Sequence, residues 1–278
     1  MDKFKIVTDS SADILSLGDI AYSAAPMKII TAEKEFVDNE ALSVSEMTDF
    51  LLSYKGRSSS SCPNPEDWLK AFGDSQYIFC ITMTAMLSGS YNAAAVAKEM
   101  YESMYPDRRV FVFNSLTTGP ELKLIVERIC EQIRNGQNFE EICDSVVEYK
   151  KKTGLLFVLE SMKNLANNGR VNAIVARAAG LLGIRALGRA SDEGELQMLD
   201  KCRGLEKTLS TVVECMKELG WKSGKVRIAH CLNEGVAVKL KGIIQAELEQ
   251  VKIEVYKCRG LCSFYAEKGG LLIGFERY

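Results

Sequence analysis

Apolar and polar positions in the first half of the chain form blocks that predict strands followed by helices. Runs rich in β-branched and aromatic residues predict strands at Phe4–Thr8, Tyr77–Thr82 and Arg109–Phe113. Apolar residues at helical spacing predict helices over Tyr91–Tyr105 and Leu122–Arg134. A strand–helix–strand–helix order at this spacing indicates an α/β fold with a mostly parallel sheet.

The pattern changes after an amphipathic helix predicted over Asn138–Lys152. The turn residues Ser191–Gly194 separate two short strands and imply antiparallel pairing. We therefore expect two domains, an N-terminal α/β domain over 1–150 and a C-terminal α+β domain with a mixed or antiparallel sheet over 151–278. The second half is predicted to contain strands at Leu155–Leu159, Ile184–Leu187, Glu195–Leu199, Lys225–Ala229, Val251–Tyr256 and Gly270–Phe275, and helices at Ser161–Asn168, Asn172–Leu182, Leu205–Leu219 and Gly235–Glu249.

Composition and charge narrow the classes of function. The net charge of the 278 residues is −2, with acids and bases interspersed, so we expect no nucleic-acid partner. The N-terminus lacks the apolar stretch of a signal peptide, and no apolar run is long enough to cross a bilayer; we expect a cytoplasmic protein without stable membrane insertion. The nine cysteines are scattered without metal-ligand spacing, which predicts reduced thiols and no metal site.

Two clusters of hydroxyl groups are candidates for ligand binding. Ser58–Pro63 is predicted to be a polar loop before a helix that begins near Pro65, and Leu87–Ser90 lies between a strand and a helix. In open α/β sheets ligands bind beyond the carboxyl ends of the strands, where helix N-termini favour anions. The competing interpretation is structural, because serine runs are usually loops and a serine before a helix is usually an N-cap.

Enzymatic chemistry has less support. A Ser–His–Asp triad would have to use His230, the single histidine, and the Leu87–Ser90 turn is not a G-x-S-x-G elbow. Asp9 and Asp13 flank two serines in a pattern typical of helix capping. No nucleotide-binding glycine motif occurs, so we expect no cofactor and no catalytic residue in this chain.

The order and spacing of several short motifs resemble the DegV family over nearly the whole chain. In the family's usual patterns, Ser59–Pro63 stands at T-T-S-Q-P, Leu87–Tyr91 at L-S-G-T-Y, and Asn168–Val171 at G-G-R-I. Lys201–Gly204 stands at K-V-R-G. The family's C-terminal H-T-G-P-G corresponds to Tyr265-Ala266-Glu267-Lys268-Gly269, so Tyr265 replaces the family histidine.

This resemblance implies a two-domain fatty-acid-binding protein with its ligand site between the domains. A long-chain fatty acid would lie in an apolar tunnel, and some family members present it to the catalytic subunit of a fatty acid kinase. Arg203 would lie near the surface that the kinase approaches. The residues that would surround the carboxylate are Ser60, Ser61, Ser88, Gly89, Arg170 and Tyr265.

Two hypotheses remain open from the sequence. The first is a lipid-binding carrier that catalyses no reaction itself. The second is an enzyme acting on a small acyl or phosphorylated substrate, which would have to use His230 or Ser88.

Overall fold

The structure is a computed structural model that describes residues 3–172 and 183–278. A short 3-10 helix over Ser10–Ala12 follows the first strand. The strands, in chain order, are β1 (Phe4–Asp9), β2 (Ala21–Ala25), β3 (Lys28–Ile30), β4 (Glu35–Val37), β5 (Ser59–Ser61), β6 (Tyr77–Thr82), β7 (Arg109–Asn114), β8 (Thr153–Leu159), β9 (Ile184–Ala190), β10 (Leu196–Arg203), β11 (Lys225–His230), β12 (Lys252–Lys257) and β13 (Leu271–Glu276).

The helices of the described residues are distributed over both halves of the chain, and none of them is long and apolar enough to cross a membrane. The predicted helix over 172–182 lies, apart from its first residue, outside the described residues. The helices are α1 (Val44–Ser53), α2 (Pro65–Phe72), α3 (Ser90–Met104), α4 (Gly119–Arg134), α5 (Phe139–Lys150), α6 (Lys163–Asn167), α7 (Leu205–Glu218), α8 (Glu234–Glu247) and α9 (Gly260–Ala266).

The N-terminal half is built on a parallel sheet with strand order β2-β1-β6-β7. Successive residues of β6 face opposite sides, as a strand requires. Phe79 and Ile81 pack towards α4 and α5, while Ile78 and Cys80 pack towards α2 and α3. Helices therefore cover both faces, and the carboxyl ends of β1 and β6 reach the same edge of the sheet.

The C-terminal half is built on a mixed sheet with strand order β10-β9-β8-β13-β11-β12, in which only the pair β11 and β12 is parallel. The predicted antiparallel pairing of β9 and β10 is confirmed. Leu156 and Val158 of β8 belong to a core with α7 and α8, while Leu155, Phe157 and Leu159 face the other side. The α/β class, with a parallel N-terminal sheet and a mixed C-terminal sheet, is confirmed.

The prediction of a polar loop over Ser58–Pro63 is wrong for its centre. Ser59–Ser61 form β5, which pairs antiparallel with β3 and places Ser60 opposite Ile29. Serine has little intrinsic preference for strands, and strand formation depends strongly on the neighbouring strand. The partner lies about thirty residues earlier in the chain, so the local sequence does not show it.

Elements that precede residue 150 pack directly on elements that follow it. Helix α4 lies against β11 and β13, and α9 packs on α1 and β3. Leu261 of α9 belongs to the same cluster as Phe79, and Phe264 to the same cluster as Ile29. The division into two domains at residue 150 stays a prediction.

Candidate functional site

A cavity of about 250 Å³ lies where the two halves meet. A cavity of roughly 10–15 Å³ already holds one water molecule, so this cavity has room for a much larger ligand. Most of its wall is apolar. The lining residues are Met27, Ser60, Ser61, Cys62, Met83, Leu87, Ser88, Gly89, Thr118, Leu155, Phe157, Leu159, Leu165, Arg170, Leu196, Leu261, Cys262, Tyr265, Ala266 and Leu272.

The structure brings six of the seven predicted site residues to this one cavity. The seventh, Arg203, lies exposed at the end of β10, outside the set of lining residues. Within the part of the chain that the structure describes, no three His, Cys, Asp or Glu side chains come together as metal ligands would. The six cavity residues are Ser60, Ser61, Ser88, Gly89, Arg170 and Tyr265.

The first hydroxyl group of the site joins the two halves of the chain. Ser60 lies in β5, and its Oγ is 2.7 Å from the Oη of Tyr265 in α9; either oxygen can donate this hydrogen bond. The two residues are 205 positions apart in the sequence. Tyr265 therefore places its hydroxyl group directly beside that of Ser60 at the cavity.

The second hydroxyl group lies at the start of α3. The Ser90 N–H donates to the Ser88 Oγ at 3.2 Å, and the N-cap residue Gly89 has no side chain that could cap the helix. The positive end of the helix dipole therefore meets the cavity at Ser88 and Gly89, as expected for an anion-binding helix N-terminus.

A buried carboxylate, that of Asp9, holds the start of α3 in position through Ser90. Asp9 ends β1, and its oxygens accept from the Ser90 Oγ at 2.6 Å, the Met83 N–H at 2.9 Å and the Ser11 Oγ at 2.5 Å. Burial raises the pKa of Asp9, and these hydrogen bonds oppose the increase. Asp9 also accepts a hydrogen bond from the Ser11 N–H, which agrees with the capping role predicted from the sequence. The sequence does not reveal its contacts with Met83 and Ser90.

Two further buried carboxylates hold the start of α9. Asp38, which follows β4, accepts from the Gly260 N–H at 2.9 Å and the Leu261 N–H at 2.8 Å. Asp13 accepts from the Arg259 N–H at 2.8 Å. Burial raises the pKa of Asp38, and it raises the pKa of Asp13 to about 7. Sequence reasoning missed Asp38 because its partners lie more than 220 residues away.

Arg170 is half-buried beside the start of α3. Its Nε donates to the Leu87 carbonyl at 3.1 Å, and its Nη1 donates to the Asn168 carbonyl. The Asn168 Nδ2 in turn donates to the Ser58 carbonyl at 3.3 Å. The guanidinium is thus held between the two hydroxyl clusters and gives the polar part of the cavity a positive charge.

His230 does not take part in the cavity. It lies buried at the end of β11, where its Nδ1 accepts from the Asn233 N–H at 3.2 Å. Burial lowers its pKa. Since His230 is not among the residues that line the cavity with Ser88, the two do not form the nucleophile–base pair that a serine hydrolase needs.

Known proteins resemble this chain in sequence and in structure. The family described as "Uncharacterised protein, DegV family" matches residues 3–277. A DegV domain-containing protein of Streptococcus gordonii is 38% identical over 277 residues, which cover 98% of this chain and 99% of that protein.

Two crystal structures have the same fold over the full length. A DegV family protein from Eubacterium eligens loaded with heptadecanoic acid has a TM-score of 0.97 and 40% identity, covering 99% of this chain and 100% of that one. The Streptococcus pneumoniae fatty acid kinase (Fak) B3 protein loaded with linoleic acid has a TM-score of 0.97 and 36% identity, covering all of both chains. This chain belongs to the DegV family.

Proposed function

We propose that this protein binds a long-chain fatty acid in the cavity, with the acyl chain against the apolar wall and the carboxylate at the polar residues. The observation that carries the proposal is the meeting of Ser60, Ser88, Arg170 and Tyr265 at a cavity whose remaining wall is almost entirely apolar. The relatives loaded with heptadecanoic and linoleic acid, at 40% and 36% identity, support the same class of ligand.

The polar groups suit a carboxylate. The hydroxyls of Ser60 and Tyr265 already share one hydrogen bond, so one of the two protons is free to be donated to a ligand oxygen. The Ser88 hydroxyl accepts from the Ser90 N–H and can donate its own proton outward. Ser61 and Gly89 complete this part of the lining. Neutral donors avoid the cost of burying an additional cation.

The apolar wall sets the affinity. Each buried methylene contributes ~0.8 kcal/mol, so an acyl chain of ~16 carbons contributes on the order of 10 kcal/mol before the costs of ordering are subtracted. Hydrogen bonds to a charged carboxylate contribute about 1.5–3 kcal/mol each. The hydroxyl groups therefore fix the orientation of the ligand, while the chain supplies most of the binding energy.

The protein would then act as a carrier that presents its fatty acid to a separate kinase subunit, and not as an enzyme by itself. The similarity to the Fak B3 protein over the full length supports this role. Arg203 is exposed at the end of β10 and is our candidate for the contact with the kinase. The placement of His230 away from the cavity disfavours the alternative, an enzyme acting on a small acyl or phosphorylated substrate.

The test is solvent extraction of the purified protein followed by mass spectrometry, with re-binding of fatty acid after delipidation. We expect co-purified fatty acid, no turnover of acyl or phosphorylated substrates by the protein alone, and acyl phosphate only when a fatty acid kinase catalytic subunit and ATP are added. Arg203→Ala should lower that rate and leave the bound lipid unchanged. Protein that neither contains nor takes up fatty acid would contradict the proposal, and turnover without a partner would favour the enzyme.

A further inference from the structure

Two glycines of the mixed sheet each lie opposite a phenylalanine on the neighbouring strand. Gly188 of β9 pairs with Phe157 of β8, and Gly154 of β8 pairs with Phe275 of β13. A Cβ atom at Gly188 would lie 2.2 Å from the Cζ of Phe157, and one at Gly154 would lie 2.9 Å from the Cζ of Phe275. Each ring therefore occupies space that exists only because its partner has no side chain.

The two rings face different surroundings. Phe275 belongs to the core between the mixed sheet and helices α7 and α8, together with Leu156 and Ile273. Phe157 points to the opposite side of the sheet and is part of the cavity wall. The same local arrangement therefore serves the core at Gly154 and the cavity at Gly188.

Resting on the proposed function, we propose that the pair Gly188 and Phe157 determines which acyl chains the cavity accepts. Without a Cβ at position 188, the ring lies back on the sheet and leaves the space in front of it open. A larger residue at 188 would push the ring towards the cavity, because the cavity is the open space that Phe157 borders. The Phe157 ring thereby limits how wide an acyl chain the cavity accepts. A cis double bond or a methyl branch makes an acyl chain wider than a straight saturated one.

The test compares the affinities of three fatty acids with equal numbers of carbons: a straight saturated, a cis-unsaturated and a methyl-branched chain. In Phe157→Leu, the two bulkier chains should gain relative to the straight one, by about four-fold for each additional methylene-sized group that the cavity accepts. In Gly188→Ala they should lose relative to the straight chain. The matched variants Phe275→Leu and Gly154→Ala should leave the ratios at the wild-type values.

The inference would be overturned if Phe157→Leu changed the affinities for all three fatty acids by the same factor, as is expected of Phe275→Leu. The Phe157 ring would then act only as core packing. A Cβ at Gly188 would also lie 2.6 Å from the Gln197 carbonyl oxygen, so Gly188→Ala can fail to fold. In that case the pair Phe157→Leu and Phe275→Leu decides. Wild-type protein that binds none of the three fatty acids would contradict the proposed function, which is a different result from equal shifts.

Discussion

The helices α3 and α9 both begin at the cavity, but their first backbone amides donate hydrogen bonds to different kinds of acceptor. At α9 the N–H groups of Gly260 and Leu261 donate to the carboxylate of Asp38. At α3 the Ser90 N–H donates to the neutral hydroxyl of Ser88, and the N-cap is Gly89. The amides at the start of α9 thus donate to a carboxylate of the protein itself, whereas the Ser90 amide at the start of α3 donates to a neutral hydroxyl, with the Arg170 guanidinium close by.

This difference separates a structural role at α9 from the binding role that we propose for α3. A carboxylate at a helix N-terminus takes the place that an anionic ligand would occupy, so α9 is held in position but does not offer its dipole to a ligand. The approach of Asp38 also depends on glycine, because a Cβ at Gly260 would lie 2.6 Å from the Asp38 Cγ. We infer that α9 contributes the side chain of Tyr265 to the ligand site, whereas α3 contributes its own N-terminus at Ser88 and Gly89.

The largest expected effect is on folding stability at the α9 end. Asp38→Ala removes the acceptor of two buried N–H groups and leaves the Arg259 guanidinium, whose Nε is 3.9 Å from the Asp38 carboxylate, without this partner. Removing one member of a buried charged cluster typically costs about 3–5 kcal/mol. Urea unfolding of the variant and of the wild type measures the difference in the free energy of unfolding.

The control for this variant is Asp19→Ala. Asp19 is exposed and forms a surface ion pair with Arg134 at 2.7 Å. Exposed pairs of this kind contribute little, so its unfolding curve should stay close to that of the wild type. If Asp38→Ala were as stable as Asp19→Ala, the start of α9 would not depend on the carboxylate, and the contrast with α3 would be lost.

The second effect is a pH dependence that also belongs to the α9 end. Asp13 has a folded-state pKa of about 7 because it is buried, with Asp38 as an additional cause and Arg259 opposing it. Between the ordinary pKa and about 7 the folded state binds more protons than the unfolded state. The free energy of unfolding therefore falls as the pH rises through this window. Asp13→Asn cannot titrate, so it should gain on the wild type by up to about 4 kcal/mol above pH 7.

Urea unfolding at several pH values between about 4 and 8 measures this gain. The amide oxygen of Asp13→Asn can still accept from the Arg259 N–H, and its NH₂ group replaces the Oδ2 that has no hydrogen-bond partner within the described structure. Asp19→Asn serves as the control. Because Arg134 lowers the pKa of Asp19, this variant should not gain stability over the wild type as the pH rises. Parallel curves for Asp13→Asn and the wild type would show that Asp13 has the same proton affinity in both states.

The sequence predicts the elements whose signal is local. The apolar run Tyr77–Thr82 is both the predicted and the observed strand β6, since its side chains are buried on both faces of the sheet. The short strand Ser59–Ser61 is different, because its pairing with β3 and not its composition makes it a strand. The seven-residue helix α9 was missed for a related reason, as its start is fixed by Asp38 from the other half of the chain.

The site shows the same limit. Ser60 and Ser88 could be selected because short motifs resemble a family, and the structure places both in the cavity. The contact between Ser60 and Tyr265 spans 205 positions, and nothing in either local sequence indicates it. Asp38 carries no motif at all. The residues that we propose bind the ligand can be selected from the sequence through resemblance, while the residues that position them are found only from contacts between distant parts of the chain.

The smallest of the expected effects tests the α3 end. Ser88→Ala removes a hydroxyl that we propose donates to the ligand carboxylate, and the loss of one such bond lowers the affinity for fatty acid at least about tenfold. The free energy of unfolding without ligand should fall by only about 1 kcal/mol, because the Ser90 N–H loses its acceptor, and this is well below the loss expected in Asp38→Ala. Fatty-acid titration of delipidated protein measures the affinity, with Ser210→Ala as the control because the Ser210 hydroxyl donates to the Lys207 carbonyl on an exposed face of α7. Equal affinities in Ser88→Ala and Ser210→Ala would mean that the start of α3 does not hold the carboxylate.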